Sequence, residues 1–193
     1  MGLPLSKMSL AAFLAWEAEQ STRNEFYRGE VFAMTGGSAR HNRVILNLAA
    51  SLGSHLDGTA CQVFAESVKV QLADEAVLYP DVMVTCGKAL AGDELAITDP
   101  KLIIEVLSPS TTGYDKREKF SLYRSLRSLR EYALIDSVSR EVEVFTQTPD
   151  GWLLTDQTGA TELALSSIDC RLPMANVFKG IEGGAAVAPG SIP

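Results

Sequence analysis

Two acids sit where a purely structural strand would rarely place one. Asp81 follows Tyr79-Pro80 and opens the apolar run Val82-Met83-Val84, and Glu105 lies inside Leu102-Ile103-Ile104-Glu105-Val106-Leu107. A window so dense in β-branched and apolar residues reads as a buried central strand. An ionised carboxylate there is costly unless a cation, a metal or several donors meet it. If the two acids come from neighbouring strands and share a face, they form a hard oxygen site suited to Mg²⁺ or Mn²⁺. Such ions keep several waters and accept phosphate oxygens as further ligands. A lysine beside them could orient a nucleophile or stabilise a developing anion. Lys119 is one candidate, and Lys69, on the strand expected to pair with that of Asp81, is the other. The plainer alternative is a buried acid paired with Lys or Arg and doing no chemistry.

The elements that must position these residues follow from the patterning. Ser9 caps a helix through Leu10, Phe13, Leu14 and Trp16, and residues 24–34 form a hairpin turning at Arg28-Gly29. Ser38 caps a second helix whose apolar stripe is Val44, Ile45, Leu48, Leu52 and Leu56, stopped by Asp57-Gly58. From Cys61 the period changes to two. Residues 61–72 and 77–85 then read as an antiparallel hairpin, turned by Ala73 to Ala76, that delivers Asp81. Residues 87–99 are a loop holding a short turn of helix or strand, and 101–107 are the central strand. A helix from Tyr114 to Leu126 sets Lys119 and Tyr123 on one face, with Asp115 one turn earlier. Strands at 131–136 and 141–145, the turn Pro149-Asp150-Gly151, a strand at 152–155, a short strand at 163–165 and a helical turn at 174–178 complete a C-terminal meander. The fold class is α/β with α+β character: a mixed sheet flanked by helices, with C-terminal antiparallel strands.

The 193 residues, 46% hydrophobic, fit a single domain over 1–182 with a flexible tail at 183–193. No apolar run reaches the length of a membrane span, and Met1 to Lys7 lack signal-peptide order, so a soluble cytoplasmic protein is expected. Cys61, Cys86 and Cys170, odd in number and mostly in apolar surroundings, read as reduced core thiols. The net charge of −7 argues against whole-surface affinity for nucleic acid. The distribution is uneven, however. Lys116, Arg117, Lys119, Arg124, Arg127 and Arg130 outnumber Asp115 and Glu118 between 113 and 130, making that window +4 and the remainder −11. The window is either a local basic face or an ordinary solvated amphipathic helix.

Pro80-Asp81 followed by Glu105-Val106-Leu107 resembles the PD-(D/E)XK nuclease superfamily. The wider set resembles its Uma-two branch of restriction endonucleases. That set comprises Gly29-Glu30-Val31, His41 opening a helix, Glu66-Ser67-Val68-Lys69-Val70, Tyr79-Pro80-Asp81-Val82, Leu102 to Thr111, Asp115, Lys119, Tyr123 and Glu131-Tyr132. The resemblance spans roughly residues 9–180. It implies a four-stranded mixed sheet core of restriction-endonuclease type, cleavage of DNA assisted by Mg²⁺ or Mn²⁺, and a homodimer. It also implies Asp81 and Glu105 as metal ligands, with the carbonyl of Val106 as a third. The superfamily's motif lysine falls here at Leu107, and migration of the lysine to the following helix points to Lys119.

Glu30 is a further candidate, as an acid near the metal or as a merely solvated hairpin residue. His41 either touches phosphate or accepts a proton, or else is satisfied locally at its helix start. His55, near a helix end, carries no assigned role. Ser108 and Ser110 have no histidine placed to activate them, and Gly-x-Ser-x-Gly is absent. The competing reading is a catalytically inactive, dimeric binding module that keeps the nuclease fold. Leu107 and the negative net charge are the features in its favour.

Overall fold

The computed structural model describes residues 8–34, 36–87, 96–107 and 118–181. Among the described residues, sheets of five and six strands and a two-stranded ribbon pack with one long α-helix and three shorter ones, and the strand that carries Glu105 lies inside the six-stranded sheet. Ser9 accepts from Ala12 N at 3.2 Å and starts α1 (Leu10–Glu17). The hairpin β1 (Asn24–Tyr27) and β2 (Glu30–Ala33) turns at Arg28 and Gly29, both with positive φ (48° and 88°), as expected for a tight two-residue connection. Ser38 caps α2 (Ala39–Leu56) by accepting from His41 N at 3.2 Å, and Gly58 (φ 72°) follows its end.

The expected long hairpin forms, but it is cut in two. Its first arm is β3 (Cys61–Ala65) and β4 (Lys69–Leu72), and its second is β5 (Ala76–Leu78) and β6 (Val82–Cys86). β3 pairs with β6 through Cys61↔Cys86 and Ala65↔Val82, whereas β4 pairs with β5 through Val70↔Leu78 and Leu72↔Ala76, a register one residue different. The extra residue is absorbed at Glu66, whose φ is 54°, and at Pro80, which has no N–H for a ladder. Each arm thereby passes from one sheet to the other.

The smaller sheet has the order β2-β1-β5-β4-β7, where β7 is Ala96–Ile97. The larger has the order β11-β10-β9-β8-β6-β3, with β8 at Pro100–Leu107, β9 at Glu131–Asp136, β10 at Val142–Thr148 and β11 at Gly151–Asp156. β8 is antiparallel to β6 and parallel to β9, so the sheet is mixed and β8 is interior, as the apolar run implied. Between β8 and β9, α3 (Phe120–Tyr123) ends three residues before the C-terminus expected for the helix over 114–126, and 114–117 of that span, with Asp115, lie outside the described residues. The expected tail at 183–193 and the serines at 108 and 110 also lie outside them. The meander β9-β10-β11 forms as expected. β12 (Glu162–Leu165) pairs with β13 (Cys170–Pro173), a strand the sequence did not reveal, and α4 (Met174–Val177) closes the described chain.

Alternation along β6 and β8 divides the interior. Val82, Val84, Leu102, Ile104 and Val106 face α2 in one core, and Met83, Ile103 and Leu107 face a second core with Tyr123, Leu126, Leu129 and Tyr132. A third, smaller core joins α1 to the hairpin through Phe13, Phe26, Val31 and Val77. One expectation is corrected here. Cys61 and Cys86 form a disulfide, because the β3–β6 register sets them directly opposite each other; only Cys170 is a free thiol among the described cysteines. Cys170 is buried, and burial raises its thiol to about 11.

Candidate active site

The β6–β8 ladder runs to the pair Val82↔Ile104, and the next residues along it are Asp81 and Glu105. The two acids expected to work together therefore stand opposite each other at the point where the strands part. Beyond Val82 the chain leaves β8, and Glu66 N donates to the Asp81 carbonyl at 3.0 Å. The N–H of Val106, which loses its partner strand there, donates instead to Asp81 Oδ2 at 2.7 Å. Asp81 is held by the splayed strands themselves. Glu105 is almost fully buried on the same side of β8 as Ile103 and Leu107.

Tyr123 Oη donates to Glu105 Oε1 at 3.0 Å, and Lys119 Nζ lies 3.5 Å from the same oxygen. One turn of α3 separates the two donors, so the expected shared face of Lys119 and Tyr123 is present and is directed at Glu105. Aromatic packing anchors that turn. Phe120 lies 5.2 Å from Tyr132, 4.3 Å from Phe145 and 5.4 Å from Trp152 between ring centroids, and Tyr123 lies 5.7 Å from Tyr132. Burial, then the neighbouring Glu105, pushes the Tyr123 hydroxyl well above its ordinary range, so it stays protonated and donates. Leu107 is packed in the second core, and the ammonium reaching Glu105 comes from Lys119 instead.

Lys119 is shared. Its Nζ lies 2.9 Å from Glu25 Oε1, and that oxygen also accepts from Tyr79 N at 3.2 Å. The sequence does not mark Glu25: it follows the polar Asn24 in a hairpin, and its burial emerges only once β1 pairs with β5. Lys69 goes elsewhere. It pairs with Glu17, whose other oxygen accepts from the Tyr79 hydroxyl, and its ammonium lies 6.0 Å from the Tyr79 ring centroid. Burial and then Glu17 raise the Tyr79 hydroxyl above its usual range. Lys69 thus meets Glu17 and the Tyr79 ring, two residues before Asp81 in the chain.

His41, in the first turn of α2, places Nε2 3.4 Å from Asp81 Oδ2. Burial works against its charged form. The hydrogen bond and charge of Asp81, the backbone of Val106 and the charge of Glu66 outweigh that, and the imidazole titrates above its ordinary range. Its Nδ1 is buried without a hydrogen-bond partner among the described residues. A Cβ at Gly37 would stand 2.5 Å from that nitrogen, so the ring sits where only glycine leaves room. Glu66 approaches from the bulge, with Asn42 Nδ2 3.4 Å from its Oε2, and Arg23 donates to the Glu66 carbonyl and Ser67 Oγ at 3.0 Å each. Glu30, on β2, is joined to none of these groups by a described bond. Glu131 has a structural environment: it accepts from Ser166 N, Ser166 Oγ, Ser167 N and Thr146 Oγ1. His55 is likewise structural, with Nε2 3.2 Å from the Ile168 carbonyl oxygen.

Among the described residues, no group of three or more His, Cys, Asp and Glu is assembled as a metal cluster. The donor set does fit a hard divalent ion. Mg²⁺ is held by one or two carboxylates, with waters and substrate oxygens completing its octahedron, and Asp81 and Glu105 stand opposite each other beside the Val106 backbone. The acids here are already partnered by cations: Glu17 pairs with Lys69, Glu25 and Glu105 with Lys119, and Asp81 with His41.

The fold is a mixed sheet whose interior strand carries an acid beside an Asp at the parting of its antiparallel neighbour. The crystal structure of an Anabaena variabilis protein described as "a putative nuclease belonging to DUF820" superposes with a TM-score of 0.69 at 19% identity, covering 89% of this chain and 97% of that one. The chain belongs to the Uma2 family, whose model, described as "Putative restriction endonuclease", matches residues 10–174. Two Synechocystis proteins are similar along most of their length. Slr1290 is 34% identical over 180 residues, covering 92% of this chain and 95% of its own, and sll1609 is 36% identical over 156 residues, covering 79% and 88%. Among the described residues no helix is long and apolar enough to cross a membrane.

Proposed function

We propose that this chain is a Mg²⁺- or Mn²⁺-dependent endonuclease that hydrolyses phosphodiester bonds of DNA and works as a homodimer in the cytoplasm. What supports the reading is that Asp81 and Glu105 follow the last β6–β8 pair where the strands part, with Lys119 3.5 Å from Glu105. Asp81, Glu105 and the carbonyl of Val106 would hold the ion. When bound, a divalent ion supplies positive charge to the phosphate and makes water a stronger acid. The chain's own groups do the rest. Val106 N–H fixes the Asp81 carboxylate, and Tyr123 fixes that of Glu105. Lys119, next to Glu105, orients the attacking water and stabilises charge that develops on the phosphate oxygens. The water oxygen forms the new P–O bond as the bridging P–O bond breaks, the attacking water gives up one proton, and the departing alkoxide takes one from a solvent water. His41, against Asp81, is placed to touch the phosphate or to receive the proton released by water. Lys69, held by Glu17, supports Tyr79 instead of the reacting atoms.

Isothermal titration with Mn²⁺ and cleavage of duplex DNA test this together. The wild-type protein should bind the ion and cut. Asp81→Ala and Glu105→Ala should lose both while melting cooperatively, and Lys119→Met should bind the ion but cut about 10²–10³-fold more slowly. Sustained cutting by Asp81→Ala, or a wild-type protein giving no site-specific heat, would replace the nuclease with an inert module of the same fold. DNA binding through the exposed Arg124, Arg127 and Arg130 should fall steeply with salt. Flat salt dependence would remove that contact.

A further inference from the structure

Glu25 belongs to the N-terminal hairpin, outside the sheet that carries the two opposed acids, yet it makes the nearer described contact to the lysine. Its Oε1 is 2.9 Å from Lys119 Nζ, whereas Glu105 Oε1 is 3.5 Å away. We infer that Glu25 is the positioning residue for Lys119, holding the ammonium at the edge of Glu105 so that it faces the bound phosphate. The inference rests on the nuclease reading.

Three observations carry it. The first is delivery. β1 pairs with β5 through Phe26↔Val77 and Tyr27↔Ala76, which brings Glu25 beside Leu78 and lets it accept from Tyr79 N at 3.2 Å. One oxygen thus grips the lysine and the chain that reaches Asp81 two residues later. The second is the stem. A lysine side chain is a flexible four-carbon arm ending in a point charge, and it does not fix its own position as an Arg fork does. The third is burial. Glu25 is about as inaccessible as Lys119, both near 7% exposed, on a strand whose next residue, Phe26, packs in the third core. An apolar side chain would satisfy that strand, and an acid placed there is costly unless its charge is used.

Glu17 repeats the arrangement one step away, pairing with Lys69 and accepting from the Tyr79 hydroxyl. Tyr79 is therefore clamped at its amide by Glu25 and at its ring by Glu17. The two acids of the N-terminal segment assign the two lysines different tasks: Lys69 is retained against Tyr79, and Lys119 is presented to Glu105.

The test uses the full-length protein loaded with Mn²⁺ and a duplex DNA substrate. Glu25→Gln keeps the shape and removes the charge, and Glu25→Asp keeps the charge but draws it back by one methylene. Misplacing a catalytic group by about 1 Å costs on the order of 10²-fold in rate. Glu25→Gln should accordingly lower kcat by about 10²-fold, leaving KM and the calorimetric affinity for Mn²⁺ within about threefold of wild type. Glu25→Asp should fall between the two. In a double-mutant cycle, adding Glu25→Gln to Lys119→Met should cause no further loss, because a positioning residue has nothing left to position. Wild-type kcat in both variants overturns the inference, as does a multiplicative loss in the double variant or parallel loss of Mn²⁺ binding. Cutting that survives Asp81→Ala defeats the nuclease reading itself, a separate outcome.

Discussion

Removing Lys119 should expose how much of the interior it holds together before any metal arrives. Its ammonium lies 2.9 Å from Glu25 and 3.5 Å from Glu105, and all three side chains are buried. Breaking a buried ion pair by deleting one partner costs about 3–5 kcal/mol, because the remaining charge stays desolvated and uncompensated. Lys119→Met, similar in volume and uncharged, leaves two acids, so the upper part of that range is expected in EDTA at pH 8. For a chain of 193 residues this lowers the melting temperature by roughly 10–20 °C. Mn²⁺ at about a hundred times its Kd should restore about 2.7 kcal/mol. Urea denaturation of both proteins at pH 8, with EDTA and with Mn²⁺, measures both effects. A deficit under about 1 kcal/mol in EDTA would refute the shared-ammonium arrangement.

Other consequences are independent of the metal. Glu131→Ala removes the acceptor for two backbone amides and two hydroxyls, so a loss of about 3 kcal/mol is expected in urea unfolding with Mn²⁺ binding retained. The raised folded value of His41 means that its contribution to stability is complete below the unfolded value near 6.5 and disappears as pH rises through the folded one. In EDTA, His41→Gln should therefore be more destabilised relative to wild type at pH 6 than at pH 9, by urea midpoint; an equal gap at both would contradict the Asp81 pairing. Cys170, buried and raised to about 11, should resist iodoacetamide at pH 8 in the native protein. Mass spectrometry should find Cys61 and Cys86 labelled only after reduction.

What could be seen in the sequence was local or periodic. The Leu102–Leu107 run signalled an interior strand, Ser9 and Ser38 marked helix starts, and the Arg28-Gly29 turn fixed the first hairpin. The four-residue spacing of Lys119 and Tyr123 brings both to Glu105, because one helical turn suffices to direct them at it. What escaped notice depended on register or on distant segments. The disulfide needs Cys61 opposite Cys86, which follows only once the shift at Glu66 is known. Glu17 and Glu25 look like ordinary polar residues until α1 and β1 fold against Tyr79. Lys69 lies on the hairpin its alternation implies, but the passage of that hairpin into the second sheet carries it to Glu17.

Anomalous diffraction from crystals soaked in Mn²⁺ locates the ion. One strong peak is expected between the Asp81 and Glu105 carboxylates, in contact with the Val106 carbonyl and absent from Glu105→Ala crystals. A peak at another group of acids, or one that persists unchanged in Glu105→Ala, would rule this site out.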